Sequence, residues 1–368
     1  MKESIALGAG LAFASLFPES ASSRRQNWND GKLGVALVGL GNYAAHQLAP
    51  ALQKTSHCYL AAIVTGTKSK EGEWARKYGI PDKNIYNYEN FDRISGNEDV
   101  DIVYVVLPNS MHAEFTIRAA EAGKHVICEK PMATSAEDCR KMIEACKKAN
   151  KKLSIGYRHH FDPYNLKMME IGQKKLFGPL VSIEGGHAFV LNNPNAWRLD
   201  KELAGGGPLM DLGIYSLQGS IYIVGEAPTH VIARDTTIKK DFFRNIEGSL
   251  EWEMHFPSGV IAKCRTSYED RYNYLRVHAE QGTAELQPAY SYGGLKGIAP
   301  DGEMKFGEIN QQARQMDDFA LCVKENRDSI VPGEMGWRDV YIMEMIYESA
   351  KTGSRIALKD LPKFVRRV

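Results

Sequence analysis

The sequence lacks an excess of either charge. It has 46 basic and 45 acidic residues, and no run of lysine or arginine is interleaved with aromatic residues, which is the pattern typical of nucleic-acid binding. It also lacks an apolar run of the ~20 residues that a membrane-spanning helix needs. We therefore expect neither a nucleic-acid partner nor a membrane span. A small-molecule ligand is the better prediction.

Cysteine is sparse and unpaired in the sequence. No Cys-x-x-Cys pair or paired Cys/His pattern occurs, which argues against a zinc site and against a disulfide framework. We expect ordinary buried thiols and no metal. The six cysteines are Cys58, Cys128, Cys139, Cys146, Cys264 and Cys322.

The first 30 residues predict a leader. Lys2 precedes an apolar run at residues 5–17, and small residues follow at 20–23, which is the order found in a secretory signal. An arm-like N-terminus is the alternative. The Arg24-Arg25 pair follows the apolar run instead of preceding it, so it does not form a twin-arginine signal. We predict a periplasmic or otherwise exported protein, and a cytoplasmic one if the leader is not functional.

The length predicts two domains. At 368 residues the chain exceeds the ~250 to 300 residues at which a single core usually stops growing. Between residues 32 and 157, short apolar runs alternate with helix-like spacing, which predicts an α/β domain with a doubly wound parallel sheet. Farther on, strand-like runs separated by turn-like joints predict a hairpin-rich sheet. The predicted units are a leader and arm at 1–30, an α/β domain at 31–156 and an α+β domain at 157–368. Two C-terminal helices, at 310–324 and 337–351, are expected to pack back on the first domain.

A glycine motif follows the first predicted strand directly and opens a helix. Its residues are Gly39-Leu40-Gly41-Asn42-Tyr43-Ala44. In such a motif the first glycine allows a tight turn, the second lets the backbone approach a pyrophosphate, and the small last residue permits close helix-strand packing. The helix N-terminus would bind the phosphates. We predict a dinucleotide-binding Rossmann domain, and a purely structural turn is the alternative.

The end of the second predicted strand indicates which dinucleotide binds. An NAD site usually places an acid there to bond the ribose 2′-hydroxyl, whereas residues 64–70 offer hydroxyls and two ammonium groups but no acid. Thr65 and Lys70 are the candidates for the 2′-phosphate of NADP. The alternative is a solvated lysine loop. We predict NADP as the cofactor.

Polar residues also follow the next two predicted strands. Leu107, Asn109 and His112 would flank the cofactor, because ligands of parallel sheets bind beyond the carboxyl ends of the strands. A helix N-cap at Asn109 or Ser110 is the alternative, and both interpretations can hold. The following strand ends in Glu129-Lys130-Pro131. The proline stops the strand, so that a lysine is aimed from its end, and a cis peptide bond before Pro131 is a further hypothesis.

Four motifs in this order resemble the glucose-fructose oxidoreductase (Gfo/Idh/MocA) family, from about residue 34 to about residue 357. They are the Gly39 motif, Leu107-Pro108-Asn109-Ser110, Glu129-Lys130-Pro131, and Gly-Gly-Gly-Pro-Leu-Met-Asp-Leu-Gly-Ile-Tyr at 205–215. The resemblance implies a Rossmann domain followed by a domain with an open, largely antiparallel sheet. It also implies NADP between the domains, a cyclic sugar as substrate, and a homo-oligomer, dimeric or tetrameric, formed through the exposed sheet face. Trp197 and Arg198 would lie near the cofactor.

The second half contributes the remaining candidate residues. Asp211 and Tyr215 are four residues apart on a helix predicted to begin near Pro208, so both project from one face. The alternative is that the two residues form a polar stripe on a surface helix. The match to the family's catalytic positions favours a catalytic role over this alternative. Arg158, just past a strand end, could hold a phosphate, a carboxylate or a sugar hydroxyl, or pair with Asp162. His159 and His160 would point to opposite faces of an extended segment, so that a shared metal is not expected.

The resemblance implies a mechanism for these residues. Oxidising a sugar at its anomeric carbon requires hydride transfer together with removal of the hydroxyl proton. We assign Tyr215 as the acid/base, Lys130 as the cation that favours its phenolate form, and Asp211 as the residue that orients the sugar hydroxyl or the lysine.

Three functions remain open at this point. An exported enzyme would have to retain its NADP and recycle it, coupling oxidation of one sugar to reduction of another. The alternatives are a dissociable NAD(P)-dependent dehydrogenase acting on an aldose or a cyclic diol, and a non-catalytic dinucleotide-binding sensor.

Overall fold

Two β-sheets organise the chain in the computed structural model, which describes residues 31–362 and 365–368. The predicted leader at 1–30 lies outside the described residues. Within the described residues, no helix is long and apolar enough to cross a membrane. The six cysteines are free and buried.

The first sheet has six strands, and all neighbouring strands are parallel. Their spatial order is β3-β2-β1-β4-β5-β6, so the order reverses between β1 and β4. Such a reversal opens a crevice at the carboxyl edge of the sheet. The predicted doubly wound parallel sheet is thereby confirmed. The strands are β1 (Leu33–Val38), β2 (Cys58–Val64), β3 (Ile85–Tyr86), β4 (Ile102–Val105), β5 (His125–Cys128) and β6 (Leu153–Ile155).

Helices cover both faces of this sheet, which is why its central strands are apolar almost without interruption. Ser135 caps α4 as predicted, since its hydroxyl accepts a hydrogen bond from the Asp138 N–H at 3.1 Å. The helical elements are a π-helical segment (Ala44–Leu48) that continues into α1 (Ala49–Leu52), α2 (Lys68–Tyr78), α3 (His112–Glu121) and α4 (Ala136–Lys148).

The second sheet has nine strands in the order β14-β13-β12-β11-β7-β10-β9-β8-β15. Only the β7–β10 pair among these described strands is parallel, so the sheet is open and largely antiparallel, as the family resemblance implies. Buried and exposed residues alternate along β9 and β10, because one face is covered and the other is not. The homo-oligomer expected through the uncovered face stays a prediction. The strands are β7 (Leu180–Ala188), β8 (His230–Asp235), β9 (Ser249–His255), β10 (Ile261–Ser267), β11 (Tyr272–Ala279), β12 (Gly282–Leu286), β13 (Gly297–Ala299), β14 (Gly302–Met304) and β15 (Ile356–Ala357).

The remaining helices pack between and around the two sheets. They are α5 (Pro163–Gln173), α6 (Lys201–Ala204), a π-helical segment (Leu209–Gly213) that continues into α7 (Ile214–Val224), α8 (Gln311–Lys324) and α9 (Gly333–Thr352). Nearly every residue of α7 is buried, against α5 and the covered face of the second sheet. Met316 and Phe319 of α8 share a core with Val35 and Leu37 of β1. The helix α9 contacts both α4 and β8, so it joins the two halves of the molecule.

The predicted extended segment at His159 and His160 is wrong. Residues Arg158–Phe161 form a 3₁₀ turn. The chain has to turn here because Asp162 caps α5, accepting hydrogen bonds from the next two backbone N–H groups that lack helical partners, and Pro163 begins the helix. The two histidine rings nevertheless have separate surroundings, since His159 contacts Tyr215 and His160 contacts Tyr222.

Candidate active site

A cleft of about 390 Å³ lies at the carboxyl edge of the first sheet. Residues that directly follow β1, β2, β4 and β5 form one wall. The other wall comes from the second half of the chain. The lining residues are Gly39, Leu40, Gly41, Asn42, Tyr43, Thr65, Thr67, Lys70, Tyr88, Val106, Leu107, Pro108, Asn109, His112, Glu129, Lys130, Trp197, Arg198, Asp211, Tyr215 and Tyr292.

The glycine motif forms the part of the cleft that fits a pyrophosphate. Gly39 has φ +96°, and a Cβ atom placed on it would lie 2.6 Å from the Val106 carbonyl oxygen, so only glycine fits there. A Cβ on Gly41 would meet no described atom within 4 Å, because this position opens into the cleft. Ala44 is buried behind the cleft wall, where a small residue permits close packing. The motif therefore fits the role predicted for it.

Hydroxyl and ammonium groups surround the adjoining end of the cleft. Lys70 donates a hydrogen bond from Nζ to the Leu40 carbonyl oxygen at 2.7 Å, so it lies directly beside the glycine motif. Thr65 Oγ1 accepts a hydrogen bond from the Thr67 N–H at 3.1 Å. The two acids that line the cleft, Glu129 and Asp211, lie beside Lys130 instead. This donor set suits a 2′-phosphate better than a free ribose hydroxyl.

Asn109 and His112 hold the strand ends in place. Asn109 Nδ2 donates a hydrogen bond to the Ala204 carbonyl oxygen at 2.9 Å, which ties the first domain to the end of α6. The His112 ring nitrogens lie 2.8 Å and 2.9 Å from the carbonyl oxygens of Pro131 and Leu107. Burial lowers the pKa of His112. The prediction of a helix N-cap at Asn109 or Ser110 is wrong, because Met111 precedes α3 and no side chain caps that helix.

Lys130, Asp211 and Tyr215 meet in the cleft. Lys130 Nζ donates a hydrogen bond to the Asp211 carbonyl oxygen at 2.6 Å and lies 3.5 Å from Asp211 Oδ1. It also lies 4.8 Å from the centroid of the Tyr215 ring. The Lys130 and Asp211 side chains are 12% and 16% exposed. The peptide bond between Lys130 and Pro131 is cis, as hypothesised from the sequence.

Asp211 is held ionised by its neighbours. Arg198 Nε donates a hydrogen bond to Asp211 Oδ2 at 2.7 Å, and the Tyr268 hydroxyl donates to the same oxygen at 3.0 Å. Burial alone would raise the pKa of Asp211, but the charges of Arg198 and Lys130 and these hydrogen bonds outweigh burial. They hold the pKa well below its usual range. The carboxylate therefore acts as a fixed negative group that positions Arg198, and its other oxygen lies 3.5 Å from the Lys130 ammonium.

Glu129 is packed into the strand end beneath Lys130. Its Oε1 accepts a hydrogen bond from the Tyr104 hydroxyl at 2.7 Å, and its Oε2 accepts one from the Lys130 N–H at 3.2 Å. A Cβ on Gly156 would lie 2.5 Å from Oε1, so the glycine makes room for the carboxyl group. Burial raises the pKa of Glu129.

Arg158 lies behind Tyr215 and does not line the cleft. It is 2% exposed, and it donates hydrogen bonds to the Tyr290 carbonyl oxygen at 2.6 Å, to the Ser291 carbonyl oxygen at 3.0 Å, and to the Gln311 side chain. The direct ion pair with Asp162, offered as an alternative from the sequence, is not formed, because Gln311 bridges the two side chains. Ala44 and Arg158 are the two predicted cofactor residues outside the cleft lining.

Several site residues were not predicted from the sequence. The Tyr215 ring is packed by His159, His187 and Tyr290, with ring centroids 5.1 to 5.7 Å apart. Five further residues line the cleft without having been predicted: Thr67, Tyr88, Val106, Pro108 and Tyr292. Tyr290 and Tyr292 lie in one loop, between β12 and β13. No sequence signal located it against Tyr215, because tertiary packing alone brings it there.

Within residues 31–362 and 365–368, no group of three His, Cys, Asp or Glu side chains is placed to hold a metal ion. The cleft residues fit a dinucleotide, whose phosphates can be bound by the glycine motif and by Lys70.

Comparison with known proteins places the chain in a family. The family model described as "Oxidoreductase family, NAD-binding Rossmann fold" matches residues 33–157. The model described as "Oxidoreductase family, C-terminal alpha/beta domain" matches residues 171–358.

Three similar proteins illustrate the range of relatives. Aldose-aldose oxidoreductase from Caulobacter crescentus, with a crystal structure in complex with glycerol, is 42% identical in sequence to this protein. The two structures superpose with a TM-score of 0.87, and the match covers 89% of this chain and 100% of that chain. The D-xylose 1-dehydrogenase (NADP⁺) of Haloarcula marismortui is 26% identical, over 91% of this chain and 96% of that protein. D-xylose 1-dehydrogenase (NADP⁺) 2 of Haloferax volcanii is 28% identical, over 89% and 99%. Since both family models match consecutive parts of the chain, and the predicted motifs lie around one cleft, this protein belongs to the Gfo/Idh/MocA oxidoreductase family.

Proposed function

We propose that this protein is an NADP-dependent sugar oxidoreductase that oxidises a cyclic sugar at its anomeric carbon and passes the reducing equivalents to a second sugar while NADP stays bound. The observation that carries the proposal is the meeting of Lys130, Asp211 and Tyr215 on the cleft wall, next to the glycine motif. The names of the relatives support it, because two are NADP⁺ xylose dehydrogenases and one is an aldose-aldose oxidoreductase.

The cofactor end of the cleft supports NADP rather than NAD. Thr65, Thr67 and Lys70 provide two hydroxyls and an ammonium group where an NAD enzyme would place a carboxylate. Gly41 leaves room for the pyrophosphate to approach the backbone. In this proposal Lys70 exchanges its bond to the Leu40 carbonyl for a phosphate oxygen.

Tyr215 and Lys130 carry the proton chemistry in the proposal. When bound, NADP⁺ would supply the acceptor for the hydride that leaves the anomeric carbon, and the reduced cofactor would supply the hydride for the carbonyl carbon of the second sugar. Tyr215 takes the proton of the anomeric hydroxyl, so that the sugar becomes a lactone, and it later returns the proton to the carbonyl oxygen of the second sugar. The Lys130 ammonium favours the phenolate form of Tyr215 and stabilises the negative charge that develops on the sugar oxygen. Asp211 keeps Lys130 in place through its carbonyl oxygen.

A dehydrogenase with a dissociable cofactor is the second candidate. The two xylose dehydrogenases among the relatives favour it. The same cleft and the same proton chemistry would serve, and only the fate of NADP between turnovers differs. A non-catalytic sensor is disfavoured, because a sensor would not need all three of Lys130, Asp211 and Tyr215.

The deciding experiment examines what the purified protein carries. The protein is isolated without added nucleotide, unfolded, and the released small molecules are identified by mass spectrometry. We expect stoichiometric NADP. A panel of aldoses is then tested in pairs without added nucleotide, and lactone and sugar alcohol should form together. Nucleotide-free protein that oxidises one sugar only with added NADP⁺ would support the dissociable dehydrogenase instead.

Replacing the acid/base tests the chemistry independently of cofactor retention. We expect Tyr215→Phe and Lys130→Met each to keep bound NADP but to lower kcat by about 100-fold or more, which is the range of positioned acid/base and electrostatic groups. Lys141→Met serves as the control, because Lys141 forms a surface ion pair with Asp138 on α4. Near-normal turnover in both active-site variants would remove this mechanism.

A further inference from the structure

Two cations lie over the ring of Tyr215. Lys130 Nζ is 4.8 Å from the ring centroid, and Arg158 Cζ is 5.2 Å from it. Arg158 also lies 4.5 Å from the centroid of the Tyr292 ring. Lys130 faces the cleft, whereas Arg158 is fixed behind the tyrosine by its hydrogen bonds to backbone carbonyls. The environment of Tyr215 therefore contains a second positive charge that the sugar itself does not touch.

The charge of Arg158 has no carboxylate partner among the described residues. Its hydrogen bonds go to the neutral oxygens of Tyr290, Ser291 and Gln311, and its Nε has no partner there. A buried cation without a counterion costs free energy. Burial raises the pKa of the Glu129 carboxyl, and the charge of Arg158, which acts to lower that pKa, does not outweigh burial. A negative charge forming on a neighbouring group would compensate the guanidinium.

Arg158 nevertheless stays protonated. Burial would lower the pKa of its guanidinium, but the interactions with Tyr215, Tyr43 and Tyr292, which favour the charged form, outweigh burial and raise that pKa. The side chain is thus a permanent cation, and tyrosines are prominent among the ionisable groups near it.

We propose that Arg158 is a positioning residue that stabilises the negatively charged form of Tyr215 during turnover, from the side opposite to solvent access. This inference rests on the proposed function, in which Tyr215 is the acid/base. Lys130 shares its charge between the tyrosine, Asp211 and the substrate, whereas Arg158 is held by fixed carbonyls and needs no reorganisation when the proton moves.

The other groups that face Tyr215 do not replace this cation. Burial lowers the pKa of His159 well below its usual value and that of His187 to about 3, so both are neutral at working pH. Burial raises the pKa of Tyr290, Tyr43 and Tyr292, which stay protonated. Asp211, ionised, opposes a negative Tyr215. Among the residues that the structure describes, Lys130 and Arg158 are thus the two positively charged groups over the Tyr215 ring.

The test combines a pH profile with a direct titration of the tyrosine. In sugar oxidation, kcat should rise with pH, because Tyr215 must lose its own proton before it can accept the proton of the sugar. This rising part of the pH profile is the kinetic limb. Arg158→Gln should move this limb to higher pH by about one unit or more, since a cation within ~4 to 6 Å has an effect of that size. Arg158→Lys, which keeps the charge, should recover most of the shift. Loss of packing or of hydrogen bonds alone would lower kcat but leave the limb in place.

A spectroscopic readout follows the same ionisation without turnover. The near-ultraviolet tyrosinate absorbance of each protein is titrated with pH, and the titration of the same protein carrying Tyr215→Phe is subtracted, so that the changes at other tyrosines cancel and Tyr215 is isolated. The difference curve should move to higher pH in Arg158→Gln by the same amount as the kinetic limb. Arg265→Gln is the matched control, because Arg265 lies 4.1 Å from the Tyr272 ring on the exposed sheet face. It should move neither curve.

The outcomes separate this inference from the function on which it rests. If Tyr215→Phe turns over normally, the proposed function fails. If Tyr215→Phe is inactive but Arg158→Gln leaves both curves in place, Arg158 has no such role. Should Arg158→Gln fail to fold, Arg158→Met removes the same charge while leaving an apolar side chain in the buried position, and it must produce the same upward shift. Unshifted curves in that variant would overturn the inference.

Discussion

Asp211 binds different partners in the cleft through its side chain and through its backbone. Its Oδ2 binds Arg198 and Tyr268, while its backbone carbonyl holds the Lys130 ammonium at 2.6 Å. The lysine is therefore positioned mainly by a neutral oxygen and keeps its charge available for Tyr215 and the substrate. A tight lysine-carboxylate pair in the same place would have offset that charge.

Lys70 provides a test of cofactor selectivity at the residue scale. Its ammonium lies beside the glycine motif, 2.7 Å from the Leu40 carbonyl oxygen. We expect Lys70→Ala to weaken binding of NADP by roughly 10- to 100-fold, the equivalent of one charge-assisted hydrogen bond, and to change binding of NAD far less. Isothermal titration of nucleotide-free protein with each dinucleotide measures both affinities.

Lys68→Ala is the matched control for Lys70→Ala. Lys68 is in the same first turn of α2, but its side chain is 91% exposed and pairs with Glu71. It should leave both affinities as in the wild type. Equal losses for NADP and NAD in Lys70→Ala would contradict a role in 2′-phosphate recognition.

At this scale the sequence predicted the residues that follow strands and missed those brought in from elsewhere. Gly39, Asn109 and Lys130 were predictable because each lies within a few residues of the end of a parallel strand, and the ends of such strands meet at one edge. His187 and Tyr292 could not be placed, because their positions depend on how the second sheet packs against the first. The burial of Arg158 behind Tyr215 could not be predicted for the same reason, since its hydrogen-bond partners lie more than 130 residues away in the sequence.

The element that presents Asp211 and Tyr215 is anchored at its start by Glu247. The Glu247 carboxylate accepts hydrogen bonds from the N–H groups of Gly207 and Leu209 at 3.0 Å each and from the Tyr347 hydroxyl at 2.9 Å. A Cβ on Gly207 would lie 2.2 Å from the Glu247 carbonyl oxygen. The glycine run at 205–207 is therefore a tightly packed joint.

Glu247→Ala tests this anchor. Its removal leaves two buried N–H groups and one buried hydroxyl without their acceptor, so we expect the free energy of unfolding to fall by about 2 to 4 kcal/mol. The helix start that carries Asp211 should also loosen, with a clear loss of kcat. Urea denaturation and steady-state kinetics measure the two effects.

Glu226→Ala is the control for the anchor. Glu226 also accepts a backbone N–H, that of Ser258, but at the protein surface, where water can replace the lost acceptor. Its removal should change stability by less than about 0.5 kcal/mol. Similar effects in both variants would show that the position of Glu247 at the helix start has no special importance.

Elements with a strong apolar pattern were predictable from the sequence, and short edge elements were not. The predicted strand before Gly39 and the predicted helix after Pro208 are present as β1 and as the π-helical segment leading into α7. The strands β13, β14 and β15 have only two or three residues, too few to show a period of two. They form because a neighbouring strand offers unpaired backbone groups, which is a tertiary effect.

At the scale of the whole molecule, polar contacts from the second half of the chain fix the first sheet. Gln315 on α8 donates a hydrogen bond to the Tyr104 hydroxyl at 2.8 Å, and that hydroxyl donates in turn to Glu129. Asp317 accepts hydrogen bonds from the N–H groups of Ser56 and His57. The two walls of the cleft are thus parts of one bonded structure, which favours a preorganised site.

A buried histidine makes the stability of this structure dependent on pH. His160 is 2% exposed, and its Nε2 lies 2.9 Å from Gln218 Oε1 on α7. Gln218 in turn donates to Asp339 on α9. Burial, aided by the charge of Arg366, lowers the pKa of His160 from 6.5 to about 3. The native protein therefore keeps this ring neutral at pH values where the unfolded chain protonates it.

The sign of the effect follows from which state binds the proton. Below about pH 6.5 the unfolded chain takes up a proton at His160 that the native state refuses, so stability falls as the pH falls and is fully present above that value. Between about pH 7 and about pH 5, the wild type should lose roughly 2 kcal/mol more unfolding free energy than His160→Gln, which cannot protonate. Urea denaturation at several pH values measures both curves.

The comparison of wild type and His160→Gln uses the slope of unfolding free energy against pH, so a constant destabilisation of the variant does not affect it. Above about pH 8, where the histidine is neutral in both states, the curves should run parallel. Parallel curves over the whole range would mean that His160 becomes protonated in the native protein as readily as in the unfolded chain.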